Sequence, residues 1–194
     1  MKLRMVLPNE IAVICLAGAI YYGYHAVQGP EPKAVPDTSQ TASATPTAAP
    51  TVTTTRLVNK KGRFAVGVPD KVVAKKVGFT VQMMTADKTM SVLAGPAEIG
   101  TISKSSKAFI AAMKQSYKNV RVVRSEERKV GGHKAKLTYG RAQNAKKVQI
   151  SFVNVVVKAS PRNYAINAFT AADSDPLFVV PRVNAIIDTF EVIK

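Results

Sequence analysis

Three regimes of patterning divide the chain. Residues 11–27 (IAVICLAGAIYYGYHAV) form an unbroken apolar run. Residues 29–55 show no periodicity. From Arg56 onward apolar and polar positions alternate, with a period near two in most places and near 3.6 in two stretches. Those two periods belong to half-buried strands and amphipathic helices.

In the third regime the period-two segments come first. Residues 63–69 place Phe64, Val66 and Val68 on one face, and residues 79–85 do the same with Phe79, Val81 and Met83. Residues 90–94 form a third short strand closed by Gly95-Pro96. Residues 103–119 are helical: Phe109, Ala112, Met113, Ser116 and Tyr117 cluster on one side, with Lys104, Lys107, Lys114 and Lys118 opposite. Residues 120–130 and 134–142 pair as a hairpin around Gly131-Gly132, since two glycines supply the positive φ of a tight turn. In its second arm Ala135, Leu137 and Tyr139 face the core and Lys134, Lys136 and Thr138 face water. Residues 148–158 turn apolar on both faces, as a strand covered on both sides does. Residues 162–171 alternate through Tyr164, Ile166 and Ala168. Asp173-Ser174-Asp175-Pro176 starts a second helix, a capping residue followed by Pro at the first position. It turns Leu177, Phe178, Val183, Ile186 and Ile187 inward, and Pro181 is expected to kink or delay it. Residues 189–193 form a last strand.

The first regime reads as a membrane segment. Seventeen residues in a helix span roughly 26 Å, with Leu3, Met5, Val6 and Leu7 available to extend it. Ile11, Ala12, Val13, Ile14, Leu16 and Ile20 provide its apolar surface, and Tyr21 and Tyr22 stand where rings favour the lipid–water boundary. Lys2 and Arg4 mark the cytoplasmic side, which puts the rest of the chain outside, in a periplasm or at a cell surface. A cleaved signal peptide is the competing reading, with Ala17-Gly18-Ala19 as a small-x-small site. Against it, Pro8-Asn9-Glu10 interrupts the charged region, and the apolar run continues past that site. Ile14 stands where a lipobox needs a small residue, so Cys15 reads as an apolar residue facing lipid. Residues 29–55 contain five Pro, eight Thr and five Ala and no aromatic residue. This composition cannot bury enough apolar surface to offset its ordering entropy, and makes a spacer of about 30 Å.

Charge changes the picture next. The 194 residues carry a net +16, and all of it lies beyond residue 55, where 25 Lys and Arg face 9 Asp and Glu. Residues 121–147 alone hold Arg121, Arg124, Arg128, Lys129, Lys134, Lys136, Arg141, Lys146 and Lys147 against Glu126 and Glu127. With the Lys104, Lys107, Lys114 and Lys118 stripe, they form a candidate surface for an anionic partner. Glu126 and Glu127 are sequence neighbours in a strand, so they point to opposite faces.

The opening GRFAVGVPDKV (residues 62–72), the hairpin VGGHKAKLTYG (130–140), INAFTAADSD (166–175) and the closing AIIDTFEV (185–192) resemble the PsbP-like α/β/α fold. That fold is shared by photosystem II extrinsic subunits and DcrB-type envelope proteins. The likeness covers residues 56–194. It implies an α+β domain, an antiparallel sheet flanked by two helices, in a family mostly of extracytoplasmic accessory proteins without catalytic residues.

Catalytic signatures are absent from the sequence: no G-x-S-x-G, no S-x-x-K with K-T-G, no Walker A loop and no G-x-G-x-x-G. With one cysteine there is neither an intrachain disulfide nor a Cys-based metal site. Asp173 and Asp175 could ligate calcium, but helix capping explains them better. No cofactor is expected. The expectation is a membrane-tethered, non-enzymatic envelope domain whose basic face meets a protein or an anionic polymer. Two alternatives stand beside it. One is an enzyme with His133 in a cleft near a carboxylate and a hydroxyl. The other is a DNA- or polyanion-binding surface protein, which the membrane segment disfavours.

Overall fold

The structure is a computed structural model that describes residues 51–97 and 100–193. The expected anchor and most of the spacer lie outside the described residues. No helix among the described residues is long and apolar enough to cross a membrane.

Among the described residues ten strands and two helices follow one another as β1 (Thr54–Asn59), β2 (Phe64–Pro69), β3 (Val72–Val77), β4 (Thr80–Thr85), β5 (Met90–Pro96), α1 (Ile102–Ser116), β6 (Lys118–Val130), β7 (His133–Gln143), β8 (Gln149–Val157), β9 (Tyr164–Ala171), α2 (Pro176–Asp188) and β10 (Glu191–Val192). They make two antiparallel sheets. A seven-stranded sheet has the order β3-β4-β5-β9-β8-β7-β6, and a three-stranded sheet has the order β1-β2-β10. The expected single sheet therefore splits in two. Two strands, β1 and β3, had no counterpart in the reading from sequence, and β1 starts inside the expected spacer.

The middle of the large sheet is buried on both faces. Alternation along β8 sends Val153, Val155 and Val157 to one core and Ile150 and Phe152 to the other. In β9, Tyr164, Ile166 and Ala168 join the first core and Phe169 the second. α2 and the small sheet cover the first face. Phe190, just beyond α2, stacks on Phe64 of β2 at 5.5 Å, and both meet Tyr164. α1 covers the second face, with Phe109 edge-on to Phe152 at 5.7 Å. This second face also carries polar pairs. Asn154 Nδ2 donates to Asn167 Oδ1 at 2.7 Å, and Ser106 lies 3.0 Å from the Thr138 hydroxyl. Thr138 is therefore buried under α1, not solvated as its polarity suggested.

Other expectations shift for local reasons. Phe79 is half exposed because Gly78-Phe79 forms the β3–β4 turn, so the inward alternation of β4 starts at Val81. The α1 stripe is Ile102, Ser106, Phe109 and Met113, which leaves Ser116 at the surface. Leu177 is 73% exposed. It precedes buried Val179 by two residues, about 200° around the helix. Pro181 does not delay α2, which starts at Pro176 behind the Asp175 cap and runs through it.

One buried charge ties the layers together. Arg182, its side chain 10% exposed, donates from Nη2 to Asp70 Oδ2 at 2.8 Å, from Nε to Asp70 O and from Nη1 to Phe178 O. Its guanidinium stacks over Phe178 at 3.8 Å. It anchors α2 to the β2–β3 turn.

Arg182→Ala is expected to lower the unfolding free energy by about 2–4 kcal/mol in chemical denaturation. Arg56→Ala, from a pair whose side chains are both more than half exposed, should cost less than about 1 kcal/mol. Burial raises the phenols of Tyr117, Tyr139 and Tyr164 above 10.0. The fold favours their neutral form. That stability is full below the ordinary phenol value and is lost as pH rises through the raised values. A phenolate absorbance titration should show these three tyrosines ionising late, together with unfolding.

Candidate basic interface

β6 and β7 join through Gly131 and Gly132, both at positive φ, with Val130 paired to His133. β6 is an edge strand of the large sheet. An edge strand lacks a neighbour on one side and tolerates charge where middle strands cannot.

The pairing register divides the expected basic face. Arg124 pairs with Tyr139 and Arg128 with Ala135, on the α2 side of the sheet, where Arg121 pairs with Arg141. Lys129 pairs with Lys134 and Glu127 with Lys136, on the α1 side. The cations also divide lengthwise. Arg128, Lys129, Lys134 and Lys136 lie toward the hairpin tip. Lys118, Arg121, Arg141, Lys146 and Lys147 lie at the opposite end, and Arg124 lies between. Lys118 is the first residue of β6, so it leaves the expected helical stripe. Lys104 and Lys107 are exposed in the first half of α1. Lys114 occupies the last turn, where the helix runs through Tyr117 into Lys118.

Toward the tip, ion pairs take Arg124, Arg128 and Lys134 and leave Lys129 and Lys136 without one among the described residues. Arg124 Nη2 meets Glu126 Oε2 at 2.6 Å and lies over the Tyr139 ring, and the Tyr139 hydroxyl donates to Glu126 Oε1 at 2.9 Å. Arg128 meets Asp188 of α2 at 3.0 Å, and Lys134 meets Glu127 at 2.8 Å. The hydrogen bond and charge of Lys134, with a smaller contribution from Lys136, hold the Glu127 carboxyl below its ordinary value. These exposed pairs stabilise the fold little, but they cancel charge.

The opposite end has no such cancellation. Among the described residues no ion pair involves Lys118, Arg121, Arg141, Lys146 or Lys147. Arg121 and Arg141 stand directly opposite each other, an arrangement that costs stability. A polar scaffold fixes this corner. Asn119 Nδ2 donates to Gln143 Oε1 at 3.0 Å, and Gln143 Nε2 donates to Lys147 O at 2.9 Å. Buried Asn144 accepts from the backbone N–H groups of Lys146 and Val148 through Oδ1. A Cβ on Gly140 would fall 2.5 Å from the Arg121 carbonyl, so only glycine lets β6 approach here. Lys147 takes φ +63°, a left-handed conformation that costs most L-residues energy.

Carboxylates occupy other parts of this end. Asp175 accepts from Leu177 N at 2.9 Å as the α2 cap. Hydrogen bonds from the Thr85 side chain and the Thr89 N–H hold the Asp87 carboxyl below its ordinary value. His133 sits half-buried beside the hairpin turn and makes no hydrogen bond to a carboxylate or hydroxyl among the described residues, so the arrangement a His133 cleft requires is not formed. Among the described residues, no three His, Cys, Asp or Glu side chains converge as metal ligands.

No family model matches the chain, and no curated protein matches it at the level of sequence. Solved structures do match its fold. Cyanobacterial PsbP (CyanoP) from Synechocystis sp. PCC 6803 superposes with a TM-score of 0.57 at 14% identity, covering 77% of this chain and 98% of that one. The Saccharomyces cerevisiae Ran-binding protein Mog1p gives 0.58 at 6% identity, covering 74% and 97%. LpqN, involved in cell envelope biogenesis of Mycobacterium tuberculosis, gives 0.54 at 12% identity, covering 74% and 92%. The domain has the PsbP-like α/β fold.

Lys147→Gly relieves the left-handed backbone and removes a cation. It should raise the unfolding free energy by about 0.5–1 kcal/mol in chemical denaturation.

Proposed function

We propose that the chain is a non-enzymatic, membrane-tethered accessory domain of the cell envelope, and that its uncancelled cationic end binds an anionic partner outside the cytoplasm. The observation that carries this reading is the charge asymmetry of the β6–β7 hairpin. Toward the tip Glu126, Glu127 and Asp188 pair with three of five cations, while the other end presents five cations with no ion pair among the described residues. Folding alone does not require that asymmetry, and an electrostatic interface does. The apolar run of residues 11–27 and the Pro- and Thr-rich spacer support a tether. The shared fold with LpqN, a protein involved in cell envelope biogenesis, supports the compartment.

The test uses the full-length protein and soluble polyphosphate. Arg121→Glu combined with Arg141→Glu should weaken binding roughly tenfold or more at low salt and flatten its salt dependence. Arg124→Glu combined with Lys134→Glu touches cations that are already paired and should change it far less. Equal losses from both variants would contradict the assignment. The tether is tested separately: the intact protein should stay in the membrane pellet after an alkaline wash.

A further inference from the structure

Two features of the cationic end select among anionic partners. The first is its position relative to the start of the domain. Asp70 N bonds to Thr53 O at 3.0 Å, which places the beginning of β1 beside the beginning of β3. The pairings Val72 with Thr85, Met84 with Ser91, Met90 with Thr170, Ala171 with Ile150, Gln149 with Gln143 and Gln143 with Lys118 then cross the whole sheet at that same end. The chain therefore enters the domain at the end of the strands that carries Lys118, Arg121, Arg141, Lys146 and Lys147, beside β3 at the opposite edge of the sheet from β6. A tether arriving there holds these cations toward whatever the tether is fixed in. Attraction between charges fades over about 8 Å at physiological salt, so this orientation decides whether the cations act at all.

The second feature is apolar. Val122 and Val123 directly follow Arg121, and Val123, 68% exposed, is skipped by the pairing register. Leu177, in the first turn of α2, projects where β9 has just ended at the same end. A soluble polyanion offers charge alone. A bilayer offers phosphate headgroups with acyl chains beneath them, and surface-binding proteins use cations and apolar side chains together.

We propose that this end docks on the anionic lipid headgroups of the membrane in which the N-terminal segment is fixed. Lys118, Arg121, Arg141, Lys146 and Lys147 contact phosphate, and Val122, Val123 and Leu177 reach the acyl boundary. The proposal rests on the tethered, anion-binding reading above and names its partner.

The full-length protein is reconstituted in nanodiscs of phosphatidylcholine with or without phosphatidylglycerol. In a Cys15→Ser background a fluorophore is placed by Ala145→Cys at the cationic end or by Lys158→Cys at the opposite end, and lipids spin-labelled at the headgroup act as quenchers. Quenching is expected for the 145 probe only, in anionic discs only, with loss at high salt. Arg121→Glu with Arg141→Glu should abolish it. Val123→Ser with Leu177→Ser should reduce it while leaving polyphosphate binding unchanged. Equal quenching in neutral discs, stronger quenching of the 158 probe, or no effect of the Val123 and Leu177 changes overturns the proposal. If anionic discs give no quenching while Arg121→Glu with Arg141→Glu still weakens polyphosphate binding, lipid docking fails and the wider reading stands. If the charge changes affect neither, both fail.

Discussion

The organisation of this domain follows from the need to cover both faces of one antiparallel sheet. In β7, β8 and β9 neighbouring residues feed different cores. Val155 meets the α2 side and Phe152 the α1 side, while Ile166 and Phe169 do the same in β9. A slip of one residue would exchange the two sets and bury the wrong side chains, so the register is held from both faces at once. Such strands have little room for charge. The Asn154–Asn167 and Ser106–Thr138 pairs show how much polarity the interior accepts: neutral groups, bonded to each other except for the buried Asn154 Oδ1, which has no partner among the described residues.

Exclusion of charge from the middle determines where the cations of residues 121–147 can stand. They occupy the edge strand β6, the outward positions of β7 and the turn that leads to β8. Strand alternation then splits them between faces, and helix α2 neutralises one group by delivering Asp188 to Arg128 at the tip. At the far end the α2 N-terminus brings Asp175, but its carboxylate caps the helix and pairs with none of these cations. What remains there is a set of like charges on a stiff polar scaffold. At the surface their repulsion is softened by water and salt to the order of 1 kcal/mol per close pair or less, small enough for the fold to tolerate.

The strands and helices that bury a face announced themselves in the sequence. β2, β4, β5, α1, the β6–β7 hairpin, β8, β9 and α2 all follow apolar periodicity to within a few residues. β1 (TTRLVN) did not, because its threonines continue the composition of the spacer and only its far end is buried. β3 (VVAKKV) did not either, since an edge strand with mostly exposed residues carries little apolar pattern. Arg182 was hidden as the lone cation of an apolar helix. Its partner Asp70 is 112 residues away, and only the folded arrangement of α2 against the β2–β3 turn brings them together. The basic interface was legible as a count of cations but not as a shape. The irregularities in β6 between Lys118 and Arg121, and between Val122 and Arg124, break the counting of faces, and the neutralising Asp188 lies 60 residues beyond Arg128.

The fold shared with CyanoP, Mog1p and LpqN survives at 6–14% identity. Its core pattern therefore constrains surface chemistry very little, and a fold with that latitude does not specify a function. What distinguishes one chain from another must be sought where local stability is given up without a folding reason. In this chain Arg121 faces Arg141 across β6 and β7, and Lys147 stands in the left-handed region, as Arg63, Lys71, Lys88 and Asn119 do elsewhere. Each is unfavourable for the isolated domain, and neither contributes to either core. Both lie at one end of the β6–β7 pair, while the chain enters the domain beside β3 at the opposite edge of the sheet. Water and salt screen the like charges held opposite each other there, so the fold tolerates them although nothing in either core requires them.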